Sequence, residues 1–398
     1  MNKRILIAAL IVVLCVLSFL LIRNMLLPKE EIILDQANKT FIVKGDVKIK
    51  GPEDGAKWRK MDSSTILKKG DTVETAGDST VDIIIGDNTD KAVKLEEKSR
   101  VEFQGINPAY LNFSKGKIRV TLKKLEPKSS FIVKTPIAIC GARGTAWLEE
   151  ASADKTKISV FESNVYICGI DDRGRPNTKK YITSEGTERD VEKGRRVSEA
   201  RKISENDLMD WQRWGKSIEF LRQGKVLVDD FDIKENFNNL KGPLGSWNVF
   251  YSDPNQYCRD EFTDLERVGD KGYSLKLTYD VDSPFSAYNG FFTYLMDIDL
   301  SGYKYLVFYI KGDKKAGFTE KLNLELKNDK KQVGRLFIEG ITDEWKKMVI
   351  PLGQFTGIND FKDMKEFVIV FSDIGVTKKE GVIYIDDIYF SKAEPGVK

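Results

Sequence analysis

The sequence predicts a mainly β protein: an N-terminal transmembrane helix, an all-β domain, one linking amphipathic helix and a C-terminal β-sandwich. Three observations carry this. An unbroken apolar run fills residues 5–22; two-residue alternation punctuated by Gly and Pro fills residues 31–200 and 225–391; a single stretch, residues 203–224, repeats at helical spacing.

Lys3 and Arg4 precede the apolar run, and Arg23 and Asn24 end it. At 1.5 Å per residue the run spans roughly 27 Å, close to the hydrocarbon core of a bilayer. No small-x-small cleavage site follows, and Cys15 lacks the small residues that precede a lipidated cysteine. The expectation is an uncleaved, single-pass anchor over residues 5–22, with a cytoplasmic stub at residues 1–4 and the bulk of the chain outside.

Apolar residues make up 41% of the 398, an ordinary share for globular protein, and the net charge of +3 comes from interspersed signs. No nucleic-acid footprint is present. Histidine is absent altogether, which removes Ser-His-Asp and Cys-His triads, His-ligated zinc and His general bases. Carboxylate-pair chemistry, as in glycoside hydrolysis, survives the exclusion.

Within residues 31–200 a cadence recurs at Lys44-Gly45-Asp46, Lys69-Gly70-Asp71, Lys115-Gly116-Lys117 and Lys193-Gly194-Arg195, each just before an alternating run. A polar-Gly turn feeding a new strand is the expected structure at each, giving a roll or sandwich of short strands. Cys140 and Cys168 both fall in strand-like runs of this domain. They form either a disulfide suited to an oxidising compartment or two buried free thiols.

In residues 203–224, Ser204 with Asp207 three residues on makes a capping-box-like start. Leu208, Trp211, Gly215, Ile218, Phe220 and Leu221 follow at helical spacing, and Gly224 stops the run. Trp211 and Trp214 are expected to pack on a neighbouring domain rather than on a ligand.

Longer, more aromatic strands follow in residues 225–391, as expected of a two-sheet antiparallel sandwich. Two near-identical acidic strands bound it, ending in Asp229-Asp230 and containing Asp386-Asp387. Brought together, four carboxylates favour a cation between them, and Asp230 and Asp386 are the expected ligands of a structural calcium. The other expectation for them is solvated strand-end carboxylates that cap turns.

Thr135, Pro136, Ala138, Gly141, Arg143, Gly144 and Thr145, followed by Trp147, resemble the signature of FecR domains. The segments 67–75 and 111–120 also follow that pattern, and the resemblance covers residues 38–200. Glu162-Ser163-Asn164-Val165 departs from it, with Asn where the family has Gly before Val, a position where Asn tolerates the same positive-φ turn. The resemblance implies an extracytoplasmic domain at a bacterial inner membrane, facing the periplasm. The family's regulators hold a sigma factor through a cytoplasmic segment, and the few residues before Ile5 cannot be one. Arg143 is expected to be a structural arginine paired to a carboxylate or carbonyl.

The twin Asp-Asp strands, the segment 299–312 and the segment 345–352 resemble the galactose-binding-like jelly rolls of carbohydrate-binding modules. Such modules commonly carry a structural calcium, matching the carboxylates above. Sugar rings are held by aromatic faces with polar groups beside them, and the candidate ligand-binding residues are Trp247, Tyr251, Tyr257, Tyr288 and Arg259. Phe291, Phe292, Tyr294, Asp260 and Glu261 lie near them in sequence, and Trp247 and Phe292 are expected in the core. The function expected is non-catalytic: binding a glycan or another cell-envelope component at the membrane. Alternatives are a FecR-like regulatory receptor acting through a membrane-protein partner, and a glycan-active enzyme using carboxylates alone.

Overall fold

The computed structural model describes residues 39–396, apart from 63–64, 86–89, 107, 124–129, 172, 195–196, 250–252 and 254. The expected anchor at residues 5–22 and the stub before it lie outside the described residues. No helix among the described residues is long and apolar enough to cross a membrane.

The first domain folds as strands that wrap into two packed layers. Its central strand, Ala109–Leu122, belongs to both. The first half of that strand pairs with Arg100–Ile106 and, in parallel, with Phe131–Lys134, whereas its second half pairs with Ala146–Ala151 and Lys91–Leu95. The crossing falls at Gly116, whose φ is +100° and where a Cβ would stand 2.5 Å from the Ser99 Cα. Only glycine fits both demands. Gly116 is thus not the turn into a new strand that the cadence suggested; it bends one strand between layers. Trp147, Phe103, Phe113 and Phe131 fill the space between the layers, all fully buried.

The helix Glu205–Arg222 starts where Ser204 caps it, the Ser204 hydroxyl accepting from the Asp207 N–H at 3.2 Å. It packs on both domains. Trp211 stacks on Phe161 at 5.1 Å, and Trp214 donates its indole N–H to Asp82 at 2.7 Å. On the far side Phe220 meets Tyr389 edge to face. Both tryptophans are therefore packing residues, as expected.

The second domain is a sandwich of a six-stranded and a five-stranded antiparallel sheet. Its first strand, Lys225–Asp229, pairs with its last, Glu380–Ser391, with Leu227 opposite Tyr389. The twin acidic strands thus close the domain on itself. Leu275, Leu277, Leu306, Phe308, Leu322, Leu324, Phe367 and Ile369 lie between the sheets, fully buried. Residues 39–44, the opening strand of the first domain, touch the strand Tyr288–Ile298, so the two domains also meet directly.

Candidate functional site

Alternation places one set of aromatic side chains on the outer face of the five-stranded sheet. The strands run in the order Leu244–Asn248, Tyr288–Ile298, Met364–Ser372, Lys321–Asn328 and Val333–Glu339. Register then sets out a row across the face: Trp247, Gly290, Val370, Asn323 and Phe337. Four strand spacings separate its ends, about 19 Å. A second row carries Gly245, Phe292, Val368, Glu325 and Arg335.

Large aromatic surfaces are open here. Phe337 is 53% exposed, Tyr288 43% and Tyr294 37%. Trp247 and Phe292 are half-buried on this outer face and not in the core as expected, because Leu244 and Phe291, their neighbours on the inward parity, fill the core. The Trp247 indole lies edge to face with Tyr288 at 6.0 Å, and Phe292 with Tyr294 at 5.6 Å. Glycines opposite the rings keep the surface low: Gly245 lies under Phe292, and Gly290 under Trp247. The polar groups are pinned. Arg335 pairs with Glu325 at 2.9 Å, and Lys327 with Glu366 at 2.9 Å. The charge of Glu366, which also accepts a hydrogen bond from the phenol, pushes the Tyr294 hydroxyl up.

The sequence candidates divide between two faces. Trp247 and Tyr288 share the face just described. Tyr257 and Arg259 stand on the outer side of the other sheet, opposite Asp280 and Thr278, with the Arg259 guanidinium 4.5 Å from the Tyr257 ring. Part of that second face is covered by the helix, where Phe220 packs on Leu227, Val307 and Tyr389. Tyr251 lies outside the described residues. Asp260 turns to the Ser246 N–H at 2.8 Å and so serves the backbone. Phe337 escaped the sequence analysis because Leu336, Phe337 and Ile338 are consecutive apolar residues, and no alternation marks the one that faces out.

The carboxylates of the twin strands do other work than metal binding. Asp229 caps the N–H of Phe231, and Asp386 caps that of Asp387; Phe231 and Asp387 are both left-handed, at φ +52° and +49°. Asp386 also accepts from the Val268 N–H at 2.8 Å. Asp230 is taken by Lys216 of the helix at 2.8 Å, and the same ammonium contacts Asp232. Among the described residues no three metal-ligating side chains gather. Calcium needs six to eight oxygens, and Asp230 and Asp386 do not fit that demand, since their oxygens face a lysine and N–H groups. Burial pushes Asp386 up to about 8, and burial with the charges of Asp230 and Asp232 pushes Asp387 up to about 6.

In the first domain, Cys140 lies opposite Ile167 and Cys168 opposite Ile139. The one-residue offset turns the thiols to opposite faces of the sheet: Cys140 is buried, while Cys168 donates to the Asn177 carbonyl at 2.8 Å. Both are free thiols, not a disulfide. Arg143 is exposed and has no ionic or hydrogen-bonding partner among the described residues, so the structural pairing expected of it is not there. The left-handed residue of the 162–165 turn is Ser163, at φ +57°, and not Asn164.

Residues 71–166 match the FecR protein family, and residues 250–392 match carbohydrate binding domain 30. Among solved structures, a family 11 carbohydrate-binding module of a cellulosomal cellulase from Clostridium thermocellum is similar at 18% identity and a TM-score of 0.33, over 44% of this chain and 98% of that one. A family 30 carbohydrate binding module is similar at 17% identity and a TM-score of 0.32, over 44% and 91%. A candidate anti-sigma factor from Parabacteroides distasonis is similar at 11% identity and a TM-score of 0.30, over 41% and 69%. No curated protein matches the chain. The chain is thus a fusion of a FecR domain with a carbohydrate-binding module.

Proposed function

We propose that this chain binds a glycan on the outer face of its five-stranded sheet, without catalysis, and presents that face from the outer side of a bacterial inner membrane. The observation that carries the proposal is the row from Trp247 to Phe337: aromatic rings at both ends, a low Gly290–Val370–Asn323 floor between them, and a span of about 19 Å. Aromatic faces take the apolar side of a sugar ring, and a row of this length accommodates an oligosaccharide better than a single sugar. The match to carbohydrate binding domain 30 supports the same use of this domain.

Binding is favoured over hydrolysis because the carboxylates of the face, Glu325, Glu339 and Glu366, are each paired to a cation. A hydrolase needs two carboxyl groups free to face a scissile bond. Residues 5–22 supply the membrane anchor, and the FecR domain and the helix stand between it and the sandwich in the chain.

The test is a glycan array probed with the whole chain, with folding confirmed by melting. Binding to one family of polysaccharides, with no shortening of the chains afterwards, is the expected outcome. A folded protein that binds nothing on a broad array, or one that releases reducing ends, contradicts the proposal.

A further inference from the structure

The helix Glu205–Arg222 covers one outer face of the FecR domain, where Trp214 and Ile218 pack with Ile84 and Ala92. Five neighbouring strands cross the opposite face: Ala109–Leu122 through Phe131–Lys134, Ala138–Ala142, Asn164–Ile170 and Pro176–Ser184. Alternation turns Leu111, Val133, Cys140, Ile167 and Thr183 inward, all fully buried. Register then lays out two rows on the outside. One holds Tyr110, Ile132, Gly141, Tyr166 and Ile182, and beside it runs Asn112, Lys134, Ile139, Cys168 and Lys180. Tyr166 and Ile182 are each 53% exposed. Above Gly141 the space is open, since a Cβ there would meet nothing nearer than the Phe131 carbonyl oxygen at 3.9 Å. Lys134 and Lys180 have no ionic or hydrogen-bonding partner among the described residues, and Arg143, just past the end of the strand that carries Gly141, has none either. Two carboxylates stand at the ends of this face. Glu102 accepts from Asn112 and Gln104, and Glu185 accepts from the Ser163 N–H. Three unpaired cations against those two leave the face net positive.

We propose that this face is a second glycan site, separate from the sandwich row, and that it takes an acidic glycan: a chain of sugars bearing carboxylates at intervals. The exposed ring of Tyr166 offers a platform for the apolar side of a sugar, and the empty place at Gly141 leaves a slot beside it. The free ammonium and guanidinium groups supply partners for carboxylates. Spacing sets the form of the ligand. Lys134 and Lys180 stand three strand spacings apart, about 14 Å, so one small anion cannot meet both and a chain that repeats its charge can. Area argues against a protein partner. The two rows cover a strip of about 19 by 7 Å, roughly 130 Å², far below the roughly 800 Å² that each partner buries in a stable protein interface. A single polymer strand is the occupant that fits so narrow a strip.

The test uses the whole chain in detergent micelles, carrying Trp247→Ala and Phe337→Ala so that the sandwich row cannot supply the binding. Titration calorimetry compares oligogalacturonate, its fully methyl-esterified form and polyphosphate. Oligogalacturonate should bind, with the ester about tenfold weaker or more because it keeps the sugars and loses the charge. Gly141→Leu fills the slot, and Lys134→Gln with Lys180→Gln removes charge from exposed positions. Each should weaken oligogalacturonate by about fivefold or more while melting as the parent does. If Gly141→Leu does not fold, the exposed lysine pair and Tyr166→Ala decide the matter. No binding of oligogalacturonate, or equal binding of its ester, overturns the proposal. So does polyphosphate bound as tightly as oligogalacturonate, or affinity that neither a filled slot nor a lost ring changes, since either would be attraction to charge alone.

Discussion

The indole of Trp247 lies against Gly290, its partner across two adjacent strands, and a side chain at position 290 has no room. A Cβ there would stand 1.9 Å from the Ile369 carbonyl oxygen and 3.2 Å from Trp247 Nε1. The nearer obstacle is backbone of the central strand, which cannot turn aside as a rotamer can. Gly290→Ala is expected to cost about 1–3 kcal/mol of stability, in the range of overpacked cores, and to lift the indole from the floor. Urea unfolding measures the first and glycan affinity the second; a variant equal to the parent in both would show that the close contact is not real.

Lys216 carries the joint between helix and sandwich, because its ammonium contacts both Asp230 and Asp232 while Asp387 lies close by. Lys216→Met should destabilise the protein by about 1 kcal/mol at pH 8, the half-exposed ammonium being screened by water. Asp387, raised to about 6 from an ordinary 3.8, contributes stability that is full below about pH 4 and lost as pH rises through 6. Without the lysine this loss grows. The gap between parent and variant should therefore widen from pH 5 to pH 8 in urea melts, and a gap that narrows would contradict the assignment.

Glu149 is buried in the FecR core, accepting the Trp147 indole N–H at 2.7 Å and a hydrogen bond from the buried Cys140 thiol. Burial pushes its carboxyl up to about 8 from 4.5, so the folded protein keeps a proton that the unfolded chain releases. The sign follows: stability is greatest below pH 4.5 and falls by about 1.4 kcal/mol per pH unit toward 8. Glu149→Gln keeps the acceptor for Trp147 and cannot ionise. Unfolding measured from pH 5 to pH 8 should show that slope removed in the variant; an unchanged slope would place the proton elsewhere.

Much of the fold was legible because period-two alternation and glycine turns are local signals. The strands and the Ser204 cap follow from patterns a few residues long. The site was only half legible, for a reason of topology. Alternation tells whether a side chain faces in or out of its strand, yet not which sheet the strand joins. Trp247, Tyr257 and Tyr288 are close in sequence, but Tyr257 sits on the six-stranded sheet and the other two on the five-stranded one. The twin aspartates misled in a similar way. Four carboxylates suggest a cation, and the cation that takes Asp230 is a lysine fourteen positions upstream, on a helix whose docking no local pattern reveals.

The two faces of the sandwich give the central claim its most direct test: isothermal titration of the oligosaccharide found on the array against Trp247→Ala, Phe337→Ala, Tyr257→Ala and Arg259→Ala in the whole chain. Glycan binding along the row from Trp247 to Phe337 requires each of the first two to lose about tenfold or more in affinity, about 1.4 kcal/mol, with the latter two unchanged. Affinity retained in Trp247→Ala and Phe337→Ala but lost in Tyr257→Ala or Arg259→Ala would place the glycan on the opposite sheet and contradict the account.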